Sequence, residues 1–129
     1  MAKFGKTSKE RLSTCEKDLQ MLFNEVVKGF DCSVVCGHRG EEAQNEAYKR
    51  GNSQVKYPHG RHNAVPSRAV DVSPYPIDWG DRDRFHYFAG YVMGIASQLG
   101  LDIIWGGDWD GDTDLKDNAF DDLVHFELR

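Results

Sequence analysis

Apolar residues recur at intervals of three and four along residues 7–30, which is the spacing of one face of an α-helix. Thr7 and Glu10 have the spacing of a capping box, and Gly29 is a residue type that commonly ends helices. The apolar stripe comprises Leu12, Cys15, Leu19, Leu22 and Val26. The pattern therefore predicts one long amphipathic helix that packs on a core.

Two further segments have a helical pattern. Residues 41–51 predict a shorter, more polar helix that ends at Gly51, and residues 81–100 predict a longer one. The expected inner stripe of the longer helix comprises Phe85, Phe88, Val92, Ile95 and Leu99. Residues 52–66 are rich in turn-forming residues and have little periodicity, which indicates an ordered loop.

Short apolar runs bounded by turn residues predict the β-strands. They occupy residues 31–37, 67–76, 101–107 and 123–129. In the second run, alternation places Asp71 on the side opposite Val70 and Val72. Because helices and strands are mixed without a regular β-α-β order, the pattern favours the α+β class.

The bulk properties limit the possible classes of protein. A chain of 129 residues is the size of one domain, and its net charge of -5 argues against a nucleic-acid-binding protein, which normally has a basic face. No apolar stretch is long enough to cross a bilayer. The first residues are polar and charged and lack the apolar segment of a secretory signal, so we expect no such signal.

The cysteines are odd in number, which does not suggest a disulfide framework and favours a reducing compartment. Cys32 and Cys36 lie an even number of residues apart in a predicted strand, so we expect both on one face. They are compatible with a pair of zinc ligands or with two small buried apolar residues. The second interpretation is favoured because no CxxC spacing or second pair accompanies them.

Three residues have the chemistry of a catalytic zinc site. Asp71 is unusual because a carboxylate in the middle of an apolar strand is costly to bury without a positive partner. His62 precedes it in the loop, and His125 lies in the last strand. Two imidazoles and one carboxylate would leave a coordination position for water, which zinc makes nucleophilic near neutral pH. Spacing alone does not bring His125 to His62.

The loop over residues 108–120 is acidic. Its alternating aspartates are Asp108, Asp110, Asp112 and Asp114. The alternation is like that of a calcium loop, but the sixth-position glycine and distal glutamate of an EF-hand are missing. A Ca²⁺ site and a solvated loop that shapes a cleft both remain compatible. We expect Trp105 and Trp109 to pack this loop or to form the wall of a substrate groove.

The segments "HNAVPSRAVDVSPYP", "WGGDWDGD" and "DDLVHFEL" together resemble the bacteriophage L-alanyl-D-glutamate endopeptidases, or endolysins, within the zinc D-Ala-D-Ala carboxypeptidase and hedgehog-like fold. The wider family has the motif Ser-x-His-x-x-Gly-x-Ala-x-Asp. Here the segment between His62 and Asp71 is two residues longer, a form associated with the phage branch, and Gly60 replaces the serine. The resemblance implies a single zinc peptidase domain over residues 1–129, with helices flanking a small antiparallel sheet.

The resemblance also implies roles for individual residues. The zinc ligands that it implies are His62, Asp71 and His125. Asp122 matches the general base, and Arg39 matches an arginine that faces the substrate and binds either an oxyanion or a substrate carboxylate. Gln44 lies on the same element as Arg39, and we expect Gln44 and Trp109 to contact the substrate. His59 is an alternative to His62 as a ligand, but we interpret it as part of the loop surface or pocket rim.

The identity of the base has two candidates. Strand alternation places Glu127, and not Asp122, on the same face as His125. If the strand is already regular at Asp122, Glu127 becomes the alternative base. We favour Asp122 because "FDDL" is typical of a turn that enters the strand and because the resembling family has its acid there.

These observations predict a zinc-dependent endopeptidase that cleaves the L-alanyl-D-glutamate bond of peptidoglycan stem peptides during phage-mediated lysis. We expect a monomer without stable membrane association that accumulates in the host cytoplasm and reaches the wall after the membrane is permeabilised. A D-Ala-D-Ala carboxypeptidase or dipeptidase is the enzymatic alternative. A metal-binding recognition module without turnover is the non-enzymatic one.

Overall fold

The sheet that holds the site residues has four strands, and every pair of neighbours is antiparallel. The computed structural model describes residues 2–116, 118 and 120–129. Its strands are β1 (Cys32–Cys36), β2 (Ala69–Pro74), β3 (Ile103–Trp105) and β4 (His125–Leu128). Their spatial order is β1-β2-β4-β3, so the last strand of the chain lies inside the sheet. The predicted α+β class, with a small antiparallel sheet, is confirmed.

Helices pack around the sheet. They are α1 (Lys6–Leu12), α2 (Lys17–Gly29), α3 (Glu41–Lys49) and α4 (Arg82–Gln98), with a 3₁₀ turn at Arg61–Asn63. Helices α2 and α4 pack on each other, and α4 packs on β2 and β3. The aromatic rings of Phe23, Phe88 and Phe126 meet edge to face in the fully buried centre of this layer.

The prediction of one helix over residues 7–30 is wrong, because the chain leaves the helical path between Leu12 and Lys17. Thr14 Oγ1 donates to the carbonyl of Arg11, the kind of local side-chain bond that competes with the helix. The backbone then pairs with Ser67, whose N–H donates to Thr14 O and whose carbonyl accepts from Glu16 N. Tertiary pairing therefore overrides a continuous apolar stripe.

The predicted capping box is also wrong. Helix α1 begins at Lys6 after Gly5, and no side chain caps its N-terminus. The predictions for α3 and α4 hold, with α3 followed by Gly51 at a φ of +80°, which glycine adopts at little cost. Ile95 in α4 and Leu99, which directly follows the helix, are half-buried at the edge of the core.

The strand register separates a core face from a site face. Val70 on β2 pairs with Phe126 on β4, and both are fully buried in the apolar core. Asp71 pairs with His125, one position further along each strand, so both point to the opposite face. The sheet therefore sets an aspartate and a histidine side by side on the face away from the core.

A bulge in β1 corrects the prediction for the two cysteines. The register shifts between Val34 and Cys36, so that Val34 pairs with Val72 while Cys36 pairs with Asp71. Cys32 is buried in the core, whereas Cys36 turns to the face that carries Asp71. The even spacing does not put both thiols on one face, because the extra residue of the bulge reverses the alternation.

Candidate metal centre

Three side chains converge on the site face of the sheet. Asp71 and His125 come from paired positions on β2 and β4, and His62 comes from the 3₁₀ turn. Asp71 Oδ1 lies 3.1 Å from His62 Nε2 and 3.3 Å from His125 Nδ1. The donor atoms of all three lie within 4.8 Å of one another, and each residue is buried. This is the group that the sequence predicted as metal ligands.

The far nitrogen of each imidazole is held by a fixed acceptor. His62 Nδ1 donates to the carbonyl of Gly37 over 2.7 Å, and His125 Nε2 donates to Glu127 Oε1 over 2.7 Å. Because the far nitrogens carry these protons, the near nitrogens face Asp71, to which they donate while protonated, and they offer lone pairs to a metal ion once deprotonated. Outer hydrogen bonds of this kind orient histidines that bind metals.

The pKa values of the three converging residues are strongly shifted from their ordinary values. Burial lowers the pKa of His62, but the charge and hydrogen bond of Asp71 outweigh burial and raise it to about 10. Burial also lowers the pKa of His125, but the hydrogen bonds that His125 donates to Asp71 and Glu127 outweigh burial and raise it to about 9. Burial would raise the pKa of Asp71, yet the two histidines hold it well below its usual range. A carboxylate thus attracts positive charge to this point, whether a proton or a metal ion.

Asp122 enters the site from the turn before β4. The N–H of His125 donates to the carbonyl of Asp122, and this turn brings Asp122 Oδ2 to 3.9 Å from His125 Nδ1. The backbone of Gly106 holds this segment, because its N–H donates to the carbonyl of His125 and its carbonyl accepts from the N–H of Asp122. A Cβ at Gly106 would overlap the carbonyl oxygen of Asp122. Burial, followed by the negative charge of Asp71, raises the pKa of Asp122 to about 6. A carboxyl with this pKa can exchange protons near neutral pH.

Glu127 also faces the site, as strand alternation predicted, but both of its oxygens are engaged. Oε1 accepts from His125 Nε2, and Oε2 lies 3.3 Å from Arg61 Nε. A carboxylate that binds the outer nitrogen of a ligand orients that ligand. The contacts therefore favour Asp122 over Glu127 as the group that transfers protons, and that role stays a prediction.

Arg39 lies against the metal centre. Its Nη2 donates to Asp71 Oδ2 over 3.3 Å and contacts the Cys36 thiol at 3.7 Å, and its Nη1 donates to Gln44 Oε1 over 3.1 Å. Its side chain is 15% exposed, so most of its donors are already committed inside the protein. These contacts hold the Arg39 guanidinium against Asp71, and its role toward the substrate stays a prediction.

Gln44 is almost fully buried and forms four hydrogen bonds. Its Nε2 donates to Ser53 Oγ and to Val55 O, and its Oε1 accepts from Arg39 and from Asn63. These bonds fill the capacity of the amide. Substrate binding by Gln44 stays a prediction, and the contacts give it a role in joining α3 to the loop that carries His62.

Two cavities meet at the metal centre. One, of about 530 Å³, is lined on the histidine side by residues that include His62, His125 and Trp109. The other, of about 500 Å³, lies on the side of Asp71 and Trp79. Arg39, Asn52, Phe120 and Asp122 line both.

Trp109 forms a wall of the larger cavity, with its ring centroid 5.3 Å from that of His125. Its Nε1 donates to the carbonyl of Phe120 over 2.5 Å.

His59 is exposed on the rim of the same cavity, whereas His62 is the histidine in the converging group. Cys36 was not predicted at the site, since only the bulge in β1 turns it there, and no sequence signal marks that bulge.

The acidic loop forms a second group of possible ligands. Carboxylate oxygens of Asp108, Asp110 and Asp112 lie within 4.8 Å of one another, and Asp114 is outside this group. Asp108 Oδ1 is buried and has no hydrogen-bond partner among the described residues. Desolvation and the charges of Asp112 and Asp110 raise the pKa of Asp108.

No helix in the described part of the chain is long and apolar enough to cross a bilayer.

Comparison with known proteins gives consistent results. The family model described as "Phage L-alanyl-D-glutamate peptidase" matches residues 1–129. Among solved structures, the chain is similar to the crystal structure of Serratia marcescens L-Ala D-Glu endopeptidase ChiX, with a TM-score of 0.76 and 26% identity. The match covers 98% of this chain and 90% of that one. No curated protein matches the chain.

Proposed function

This chain belongs to the phage L-alanyl-D-glutamate peptidase family, and from that premise we propose that His62, Asp71 and His125 hold a catalytic zinc ion. The chain is a peptidase that acts on peptidoglycan, as the motifs predicted. The observation that carries the zinc proposal is the convergence of three buried donors with a proton-accepting carboxylate, Asp122, beside them.

The donor set fits zinc. Two imidazole nitrogens and one carboxylate oxygen are ligand types of catalytic zinc sites, and the outer hydrogen bonds that the imidazoles donate to Gly37 and Glu127 suit metal-bound histidines. Asp71 keeps its negative charge in a buried position, which neutralises part of the charge of a divalent cation. When bound, zinc supplies Lewis acidity that polarises the peptide carbonyl and makes water nucleophilic near neutral pH.

The protein side chains supply the other steps. Asp122 accepts the proton of the attacking water and delivers it to the leaving amine, and its pKa of about 6 suits both directions. Arg39 directs positive charge at the oxyanion that develops on the carbonyl, and its bonds to Asp71 and Gln44 fix it before the substrate arrives. Glu127 keeps His125 in one orientation.

The two cavities support an endopeptidase over a carboxypeptidase. A carboxypeptidase needs room for a single residue beyond the scissile bond, whereas an endopeptidase must hold peptide on both sides. Here space extends from the metal centre toward Trp109 on one side and toward Trp79 on the other. Such a groove accommodates a stem peptide that remains attached to the glycan strand.

The test is digestion of purified peptidoglycan followed by mass spectrometry. We expect products with a new amino terminus on glutamate, loss of turnover with a chelator, and recovery with Zn²⁺. Free D-alanine or its dipeptide as product would favour the carboxypeptidase or dipeptidase instead. Zinc binding without any turnover would favour the recognition module.

Histidine variants test the ligand set. H62A and H125A should lose both bound zinc and turnover, while H59A should keep both because His59 lies outside the converging group. The reverse result for H59A and H62A would make His59 the ligand.

We also keep calcium as a proposal for the acidic loop. It is supported by the grouped carboxylates of Asp108, Asp110 and Asp112 and by the unpartnered buried oxygen of Asp108. Calorimetric titration should show Ca²⁺ binding that D110N weakens. If no heat of binding is measured, the segment is a solvated loop without calcium.

We also propose that the chain is a monomer that resides in the host cytoplasm before it reaches the wall, with sedimentation and cell fractionation as the measurements.

A further inference from the structure

We propose that Arg61 is the specificity residue that binds the free carboxylate of the substrate glutamate; this inference rests on the proposed function. Glutamate has two carboxyl groups, and only one of them can continue the peptide chain. The residue on the amine side of an alanyl-glutamate bond therefore carries a free carboxylate close to the scissile bond. The cleft must supply a partner for that charge.

The cavity itself is unfavourable to an anion unless a cation meets it. Asp110, Asp122 and Glu127 all contribute to its lining, and the whole chain has a net charge of -5. The arginines in the lining are Arg39 and Arg61. An anionic substrate group in this cavity needs one of them.

The two arginines differ in how far they are committed. The Arg39 side chain is 15% exposed and donates to Asp71, Gln44 and Cys36. The Arg61 side chain is 45% exposed, so a ligand can reach it from the cavity. Arg39 suits the reacting carbonyl, and Arg61 suits a separate anion.

Arg61 is also held in place. Its Nε lies 3.3 Å from Glu127 Oε2, and one proton of Nη1 is directed at the carbonyl of Leu128 over 3.4 Å. Among the described residues, no contact engages Nη2. The outer edge of the guanidinium, formed by Nη2 and the second proton of Nη1, is therefore available for a bidentate bond to a carboxylate.

The position of Arg61 suits a group near the scissile bond. It directly precedes His62 in the chain, and Glu127 links its guanidinium to the outer nitrogen of His125. The anion site thus lies in the histidine-side cavity. This orients the substrate, with glutamate and the following residues toward Trp109 and alanine with the glycan toward Trp79.

The test compares two synthetic stem peptides that differ only in whether the free carboxylate of D-glutamate is an acid or a carboxamide. Wild-type enzyme should prefer the acid by about 10- to 100-fold in kcat/KM, the range for a hydrogen bond between charged groups. In R61Q this acid-to-amide ratio should fall to near one. R68Q is the matched control, because Arg68 pairs with Glu16 outside the cavity, and it should keep the wild-type ratio.

The outcomes separate this proposal from the proposed function. If wild-type enzyme cleaves acid and amide peptides equally well, the Arg61 assignment is overturned while the peptidase activity stands. If neither peptide is cleaved at the alanyl-glutamate bond, the proposed function fails. Bound zinc in R61Q is measured in parallel, because loss of zinc with an unchanged acid-to-amide ratio would mean that Arg61 acts through Glu127 on His125 and not on substrate.

Discussion

Exchange of Asp122 for asparagine removes the group that we propose as the general base and leaves the metal ligands in place. Asp122 Oδ2 lies 3.9 Å from His125 Nδ1, at the edge of the ligand cluster. With a pKa raised to about 6, this carboxyl binds a proton more strongly than an ordinary aspartate and is still mostly ionised at pH 7. Loss of a positioned base lowers the rate by about 10²- to 10⁴-fold, so D122N should lose that much in kcat at saturating zinc.

The matched variant E127Q separates the two candidate acids. Glu127 orients His125 through a bond of 2.7 Å, so its exchange should weaken zinc binding by about 10- to 100-fold, with activity recovering as zinc is raised. D122N should bind zinc nearly as the wild type does, and no amount of zinc should restore it. The control is D121N, since Asp121 is exposed and pairs with Arg82.

The assay is chromatographic measurement of stem-peptide cleavage across a zinc titration, with zinc affinity taken from competition with a chromogenic chelator. The pH profile adds an independent check. Because the base must be ionised, kcat/KM of the wild type should fall as the pH drops through about 6. The reasoning is refuted if D122N remains active while zinc-saturated E127Q loses about 10²-fold or more, since Glu127 would then transfer the proton.

Three further predictions follow from the site and the core. The pKa values of His62 and His125 are raised to about 10 and 9, so zinc must displace up to two protons below pH 9. The affinity for zinc should therefore rise with pH, and calorimetry in buffers of different ionisation enthalpy measures the released protons. Q44A should destabilise the fold by about 3 kcal/mol in urea unfolding, because buried partners lose their bonds, whereas exposed Gln54 should tolerate alanine. F126A should cost about 3–5 kcal/mol by leaving a cavity in the core, and a much smaller loss would mean that the core refills the space.

The sequence by itself determined the features that depend on local pattern. The periodicity of residues 81–100 predicts α4, and alternation in residues 67–76 predicts that Asp71 faces away from the core. The motifs around His62 and His125 were sufficient to recognise the family, which the match over residues 1–129 confirms. Side-chain periodicity and motif chemistry are properties of residues that are close in sequence, and they can therefore be recognised from the sequence alone.

The tertiary structure decided everything that depends on pairing between distant segments. The register of β2 with β4 sets Asp71 beside His125, the bulge in β1 turns Cys36 to the site, and pairing with Ser67 divides the first helix. The bond from His125 to Glu127 gives that carboxylate an orienting role. A shift of one residue in the register of β2 with β4 would send Asp71 and His125 to the opposite face, and the packing of the core face against α4 opposes such a shift.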